Sequence, residues 1–233
     1  MNNSKNASGK KSSGKNSSNS VRLVISGVVM SIVVAFVVAM VAGGDSSDDA
    51  STPDSSSSAS IVPSGAAENQ PVVVTGTALL PLLDEYADPA VGQTAPSLTG
   101  ATFDGSPITV TPGADGDTLL VFLAHWCPHC NAEIPVLLDW QAAGGVPDGL
   151  SVVGISTAVS AERPNYPPSE WIAAKGWTWP VLADSVQQDA AAAYGVSGYP
   201  FLVIVGSDGT VKARTSGEKS LEALDAWVTA TLG

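Results

Sequence analysis

Cys127 and Cys130 are the only cysteines among 233 residues, and they stand three apart in Trp126-Cys-Pro-His-Cys130. Two thiols at that spacing, on the first turn of a helix, can close a disulfide and reopen it by exchange. The attacking species in such an exchange is a thiolate. Pro128 fixes φ near the helical value and suits the first helical position, so a helix is expected to begin there. Its N-terminus carries partial positive charge and free N–H groups, which favour a thiolate at Cys127. A small secreted domain stapled by disulfides would carry more cysteines, so structural cross-linking is not the strategy. His125 and His129 are the only histidines and lie within the same six residues as the two thiols. Ligands so close along a chain seldom converge tetrahedrally, so neither a metal nor another cofactor is expected.

The elements that must hold these thiols are legible on either side. Leu119 to Ala124 is an apolar run of strand length ending abruptly at His125-Trp126, and it predicts a buried strand. After Pro128, Ile134, Leu137, Leu138 and Gln141 fall at helical spacing, and Gly144-Gly145 ends the helix. Ala95–Leu98 and Ala101–Val110 predict a short hairpin turning at Asp104-Gly105. Further strands are expected over Leu150–Thr157, Trp177–Leu182, Phe201–Val205 and Thr210–Arg214. Helices are expected after Pro167-Pro168, from Asp184 to Tyr194, and from Ser220 to Leu232. Strands alternating with helices, closed by a hairpin, mean an α/β fold around one sheet.

Charge is unevenly spread. Five of the ten basic residues precede the first acid, Asp45, and the remainder carries a net charge of −17. Such a surface repels nucleic acid and anionic lipid, so nucleic acid is not an expected partner. Residues 1–22 are polar and basic and are expected to form a disordered cytoplasmic tail. Residues 23–42 are twenty uncharged, Val-rich residues, long enough at 1.5 Å per residue to span a hydrocarbon core of about 30 Å. Basic residues before that run and acids after it place the N-terminus in the cytoplasm and the rest outside. The competing reading is a cleaved secretory signal, and either outcome exports the domain. Residues 43–87, rich in Ser, Asp and Pro, predict a flexible linker, with the folded domain over 88–233.

The ordered set of motifs resembles the thioredoxin superfamily. Trp126-Cys-Pro-His-Cys130 is followed by Pro135, which matches the helix-kinking proline, and by Gly198-Tyr199-Pro200, which matches the cis-proline loop. Val91-Gly92, Ala95-Pro96, Phe103-Asp104-Gly105 and Cys130-x-x-Glu133-x-Pro135 resemble the TlpA/ResA-like branch of membrane-anchored thiol-disulfide oxidoreductases. The resemblance covers about residues 88–233. It implies a thioredoxin-like fold, a central mixed β-sheet flanked by α-helices, behind an N-terminal transmembrane helix. It also implies that Cys127, exposed at the helix tip, is the nucleophile and Cys130 the resolving thiol. Pro200, in a cis bond, would leave the preceding backbone free to pair with substrate, beside Tyr199. Glu133 matches the family's glutamate near the buried cysteine and would accept its proton; the alternative is an exposed first-turn acid favoured by the helix dipole. Pro128-His129 is the dipeptide of DsbA-type oxidases, in which the histidine favours the thiolate and makes the disulfide a stronger oxidant.

Two residues depart from the pattern. The buried aspartate of thioredoxin would fall at Val121, and Tyr199 stands where thioredoxins usually have threonine. Trp126 reads as a lid beside the disulfide. His125 either adds positive potential near Cys127 or is a partly exposed strand-end residue. The implied activity is dithiol–disulfide exchange with exported protein thiols, with a membrane redox partner to reset the cysteines. The Pro-His pair argues for oxidation and the TlpA/ResA-like body for reduction, for instance of apocytochrome cysteines; oxidation is the favoured direction. A peroxidase would need a Pro-x-x-x-Thr/Ser-x-x-Cys loop, which Leu123-Ala-His-Trp126 does not supply. A non-catalytic module binding metal or a partner would leave the two thiols inert or ligating.

Overall fold

Leu119, Val121 and Leu123 alternate with Leu120 and Phe122 along one strand, and all five are fully buried. A strand of that kind must have both faces covered, which places it inside a sheet with a layer on either side. The computed structural model describes residues 67–233 and has this arrangement. In chain order the elements are β1 (Val73–Thr75), β2 (Ser97–Ala101), β3 (Pro107–Val110), β4 (Asp117–Leu123), α1 (Pro128–Ala142) and β5 (Leu150–Ser156). They continue with α2 (Pro168–Ala174), β6 (Val181–Ala183), α3 (Asp189–Ala193), β7 (Phe201–Val205), β8 (Val211–Ser216) and α4 (Leu221–Leu232).

The main sheet has the order β6-β5-β4-β7-β8, with β4 at its centre. β4, β5 and β6 run parallel, while β7 is antiparallel to both β4 and β8. A separate antiparallel sheet, β1-β2-β3, comes from the N-terminal part. One face of the main sheet is covered by α1 and α4, through Ile134, Leu137, Trp140, Leu224 and Val228. The opposite face packs on the small sheet and α3, through Leu98, Val110, Ala190 and Tyr194. The β2–β3 turn forms as the Asp-Gly pair predicts. Gly105 takes φ +83°, and the Asp104 carboxylate accepts the Ser106 N–H at 3.0 Å.

Three expectations are corrected. Residues 67–87, read as linker, belong to the folded unit. β1 pairs with β2, Leu79 and Leu82 are buried, and Leu79 and Leu82 N–H groups donate to Ala193 and Gly195 carbonyls. The Ser/Pro-rich composition ends earlier than the linker reading assumed, and two leucines supply the apolar anchor. The strand expected over Trp177–Leu182 pairs only from Val181, because Pro180 has no N–H to donate and Trp177 and Trp179 pack edge to face at 4.9 Å. The inward face of α1 is Cys130, Glu133, Ile134, Leu137 and Trp140, while Gln141 is exposed. The basic tail, the apolar segment 23–42 and the linker up to residue 66 lie outside the described residues. Among the described residues no helix is long and apolar enough to cross a membrane.

Candidate active site

The two thiols sit where β4 hands over to α1. The Cys127 N–H donates to Ala124 O at 3.0 Å, closing a tight turn, and Cys127 is the extended residue that precedes Pro128 at the head of the helix. Cys130 follows one turn in and is fully buried. Both are free thiols. The Cys127 thiol donates to Tyr199 O at 3.4 Å, and Cys130 Sγ accepts the Ala124 N–H at 3.5 Å. Burial pushes the Cys130 thiol far up from its ordinary value, and the neighbouring Cys127 adds to the effect. Cys127 is not exposed, as expected, but 6% accessible. The Tyr199 backbone covers it, and the Trp126 and Tyr199 rings meet edge to face at 6.1 Å beside it.

The Tyr199–Pro200 bond is cis, and Pro200 is buried immediately before β7. β7 lies next to β4 in the sheet, so the loop before β7 reaches the same sheet end as the cysteines. The Tyr199 hydroxyl donates to Gln188 Oε1 at 3.2 Å, and burial raises its pKa.

Glu133 lies one turn beyond Cys130 on the inward face of α1. Its carboxylate accepts the Lys219 N–H at 2.6 Å through Oε2, whereas Oε1 is buried with no partner. Burial raises its pKa to about 6, partly offset by that Lys219 N–H. The exposed-acid alternative is therefore set aside. Pro135 interrupts α1 without ending it. A proline there removes the bond to the Asn131 carbonyl, which instead accepts from Lys175 Nζ at 3.4 Å. His129 is exposed, with Nδ1 at 3.1 Å from the Glu218 carboxylate. The Trp126 indole N–H donates to Ala158 O at 2.8 Å, which fixes the ring beside Cys127. Tyr199, Pro200, Trp126 and Glu133 thus all gather around the two thiols, and His129 points away to the surface.

His125 is neither partly exposed nor free: it is fully buried and bonded through both ring nitrogens. Asn131 was not singled out by the sequence reading. Its amide donates to Cys127 O at 3.0 Å and accepts from the Trp171 indole at 3.0 Å, so it braces the Cys127–Cys130 turn from behind. A polar residue directly after the second cysteine, four positions from Cys127, is the only sign of it in the sequence. Glu218 and Lys219 come from the loop before α4, some ninety residues away, and no local pattern announces them. Among the described residues no three His, Cys, Asp or Glu side chains converge as a metal-ligand set.

A helix that starts at a Cys-x-x-Cys pair, faced by a cis-proline loop across a mixed sheet, defines a thioredoxin-like fold. Residues 91–214 match the AhpC/TSA family, and the chain belongs to that family. It is 39% identical over 71 residues to the soluble secreted antigen MPT53 of Mycobacterium tuberculosis, covering 30% of this chain and 36% of that one. The chain thus matches about a third of the length of that relative. It is 25% identical over 126 residues to sporulation thiol-disulfide oxidoreductase A of Bacillus subtilis, covering 54% of this chain and 74% of that one. A crystal structure of a thioredoxin-family thiol:disulfide interchange protein from Chlorobium tepidum superposes with a TM-score of 0.50 at 27% identity, covering 63% of this chain and all of that one.

Proposed function

We propose that the protein is a thiol-disulfide oxidoreductase of exported proteins, held at the cell membrane by residues 23–42 with its N-terminus cytoplasmic. The observation that carries the reading is the Cys127 thiol, which heads α1 and faces the Tyr199 carbonyl at 3.4 Å beside cis-Pro200. In the oxidised enzyme a substrate thiolate attacks Cys127 Sγ, breaking the Cys127–Cys130 bond and forming a mixed disulfide. Cys130 leaves as a thiolate and takes up a proton, which its burial favours. Glu133, one turn away with a raised pKa, supplies that proton. The substrate's second thiolate then attacks its own sulfur in the mixed disulfide and releases Cys127. Two electrons and two protons pass to the enzyme, and a membrane redox partner returns the pair to the disulfide. Tyr199 and Trp126 flank the substrate chain, and Pro200 keeps the approach to Cys127 free of a competing N–H.

The Pro128-His129 pair supports oxidation as the net direction. One observation favours reduction instead: the Glu218 carboxylate places negative charge 3.1 Å from His129, the residue on which the oxidising effect depends. A reduction potential above about −200 mV supports oxidation, and one below about −250 mV, near thioredoxin's range, reverses the assignment. The reading itself is tested by thiol oxidation and insulin reduction with wild type and Cys127→Ser. Cys127→Ser is expected to abolish both, whereas Cys130→Ala should accumulate mixed disulfides with exported proteins. Activity that survives Cys127→Ser would leave a non-catalytic binding module as the better account.

A further inference from the structure

The His125 side chain is fully buried and bonded through both ring nitrogens, and the exchange chemistry does not use it. Its ring Nδ1–H donates to Pro164 O at 2.8 Å, and Nε2 accepts the Ser160 N–H at 3.2 Å. One donor and one acceptor require the neutral ring with its proton on Nδ1. The His125 carbonyl accepts from the Asn165 amide at 2.8 Å, and the Tyr166 ring meets the imidazole edge to face at 6.0 Å. The next residue repeats the pattern. The Trp126 indole N–H holds Ala158 O at 2.8 Å, and the Arg163 guanidinium lies over the indole at 4.2 Å.

All these partners belong to the connection between β5 and α2. Residues 158–166 have no regular structure, and their one internal backbone bond runs from Arg163 N–H to Ser160 O at 3.1 Å. Ala158 and Asn165 take φ +52° and +62°, so the path is one that an unsupported chain of L-residues would avoid. A largely exposed loop with almost no internal bonding keeps one shape only if something outside it imposes that shape. Here the template is the pair of residues directly before the attacking cysteine.

We propose that His125 is a positioning residue that folds the 158–166 loop against Trp126, making the loop a specificity wall beside Cys127. The wall brings Arg163 and Trp126 alongside any polypeptide whose cysteine reaches Cys127. A small thiol is too short to touch it. The inference rests on the dithiol-exchange reading above and adds to it how a protein substrate is selected. Losing the imidazole leaves both thiols and their elements in place, so the effect should fall on KM for protein substrates.

The test compares a reduced, unfolded protein with dithiothreitol as electron donors to the full-length enzyme, with oxidised glutathione returning Cys127 and Cys130 to the disulfide and the uncatalysed rate subtracted. His125→Ala is expected to raise KM for the protein about tenfold while kcat and the dithiothreitol rate change by no more than about twofold. His125→Asn, whose amide can still donate to Pro164 O, should recover part of that loss. Asn165→Gly leaves the buried ring untouched and should raise KM about threefold, which keeps the test open if His125→Ala does not fold. An unchanged protein KM, or equal losses with protein and dithiothreitol, overturns the proposal. Wild-type enzyme inert to both donors overturns the oxidoreductase reading instead.

Discussion

Glu133 presents an acid inside a core, with one oxygen bonded to Lys219 N–H and the other unpartnered. Desolvation is the main reason its pKa rises from 4.5 to about 6. An acid whose folded-state pKa is raised binds its proton more tightly in the native state than in the unfolded one. Its contribution therefore runs opposite to that of a salt-bridged carboxylate. It opposes folding at high pH, and that penalty disappears as pH falls through the folded and then the unfolded value. A shift of this size corresponds to at most about 2 kcal/mol. Glu133→Gln keeps an acceptor for Lys219 N–H and removes the buried charge. It is expected to stabilise the protein by about 1–2 kcal/mol at pH 8, with no gain below pH 4, in urea denaturation at both pH values. The same variant should slow release of Cys130 from the Cys127–Cys130 disulfide below about pH 6, where the wild-type carboxyl still holds the proton it supplies. A variant equally stable at both pH values, with unchanged exchange, would leave Glu133 a bystander.

At the scale of elements, α3 shows how one side chain can hold a helix of five residues. The buried Asp184 carboxylate accepts from Thr157 Oγ1 at 2.7 Å and from the N–H groups of Ser185, Ala190 and Ala191 at 2.8, 2.9 and 3.2 Å. A helix this short has almost no cooperative stability of its own, so the cap and the packing of Ala190 and Tyr194 maintain it. Asp184→Ala leaves buried donors without partners and is expected to cost about 3 kcal/mol by urea denaturation; a loss under about 0.5 kcal/mol would mean water replaces the carboxylate. The sequence announced Asp184 as a cap but began the helix there, whereas α3 starts only at Asp189 behind Gln188 and the carboxylate reaches it from five residues upstream. β4, α1, β7 and α4 were announced by their own patterns. In each, local chemistry and tertiary packing agree. Where they part, the reading fails. Val73–Thr75 is too short for periodicity to register, and Trp177–Leu182 looks like one strand although Pro180 and the tryptophan pair delay pairing to Val181. The site divides the same way: Cys127, Cys130 and Pro200 are carried by motifs. Asn131, Lys219 and the His125 contacts depend on which loops the fold brings to the head of α1, and spacing along the chain does not encode that.

For the molecule as a whole, the stretch before residue 88 acts as a strap across the far side of the sheet. Arg214 on β8 is fully buried, and its guanidinium pairs with Asp88 through Nε at 2.8 Å and through Nη2. Its Nη1 donates to the carbonyls of Leu80 and Tyr194 at 2.9 and 2.8 Å. Glu85 adds bonds to Thr215 Oγ1 and Ser216 N–H at 2.8 and 3.0 Å. β8 is the edge of the main sheet, where Glu85 takes up the Ser216 N–H while Gly92 and Gln93 pair with Val211. Losing residues 67–87 removes β1, two buried leucines, the Glu85 bonds and one of Arg214's carbonyl partners. The leucines alone contribute about 3–6 kcal/mol, a large share of an ordinary domain's 5–15 kcal/mol. A chain beginning at residue 67 is therefore expected to unfold cooperatively, while one beginning at 88 should lose its cooperative transition and bind hydrophobic dyes. Leu79→Ala with Leu82→Ala in the longer chain separates the apolar anchor from the polar strap. If the 88–233 chain melted at the same temperature as 67–233, the strap would be an appendage, and the redox domain would end where its motifs do.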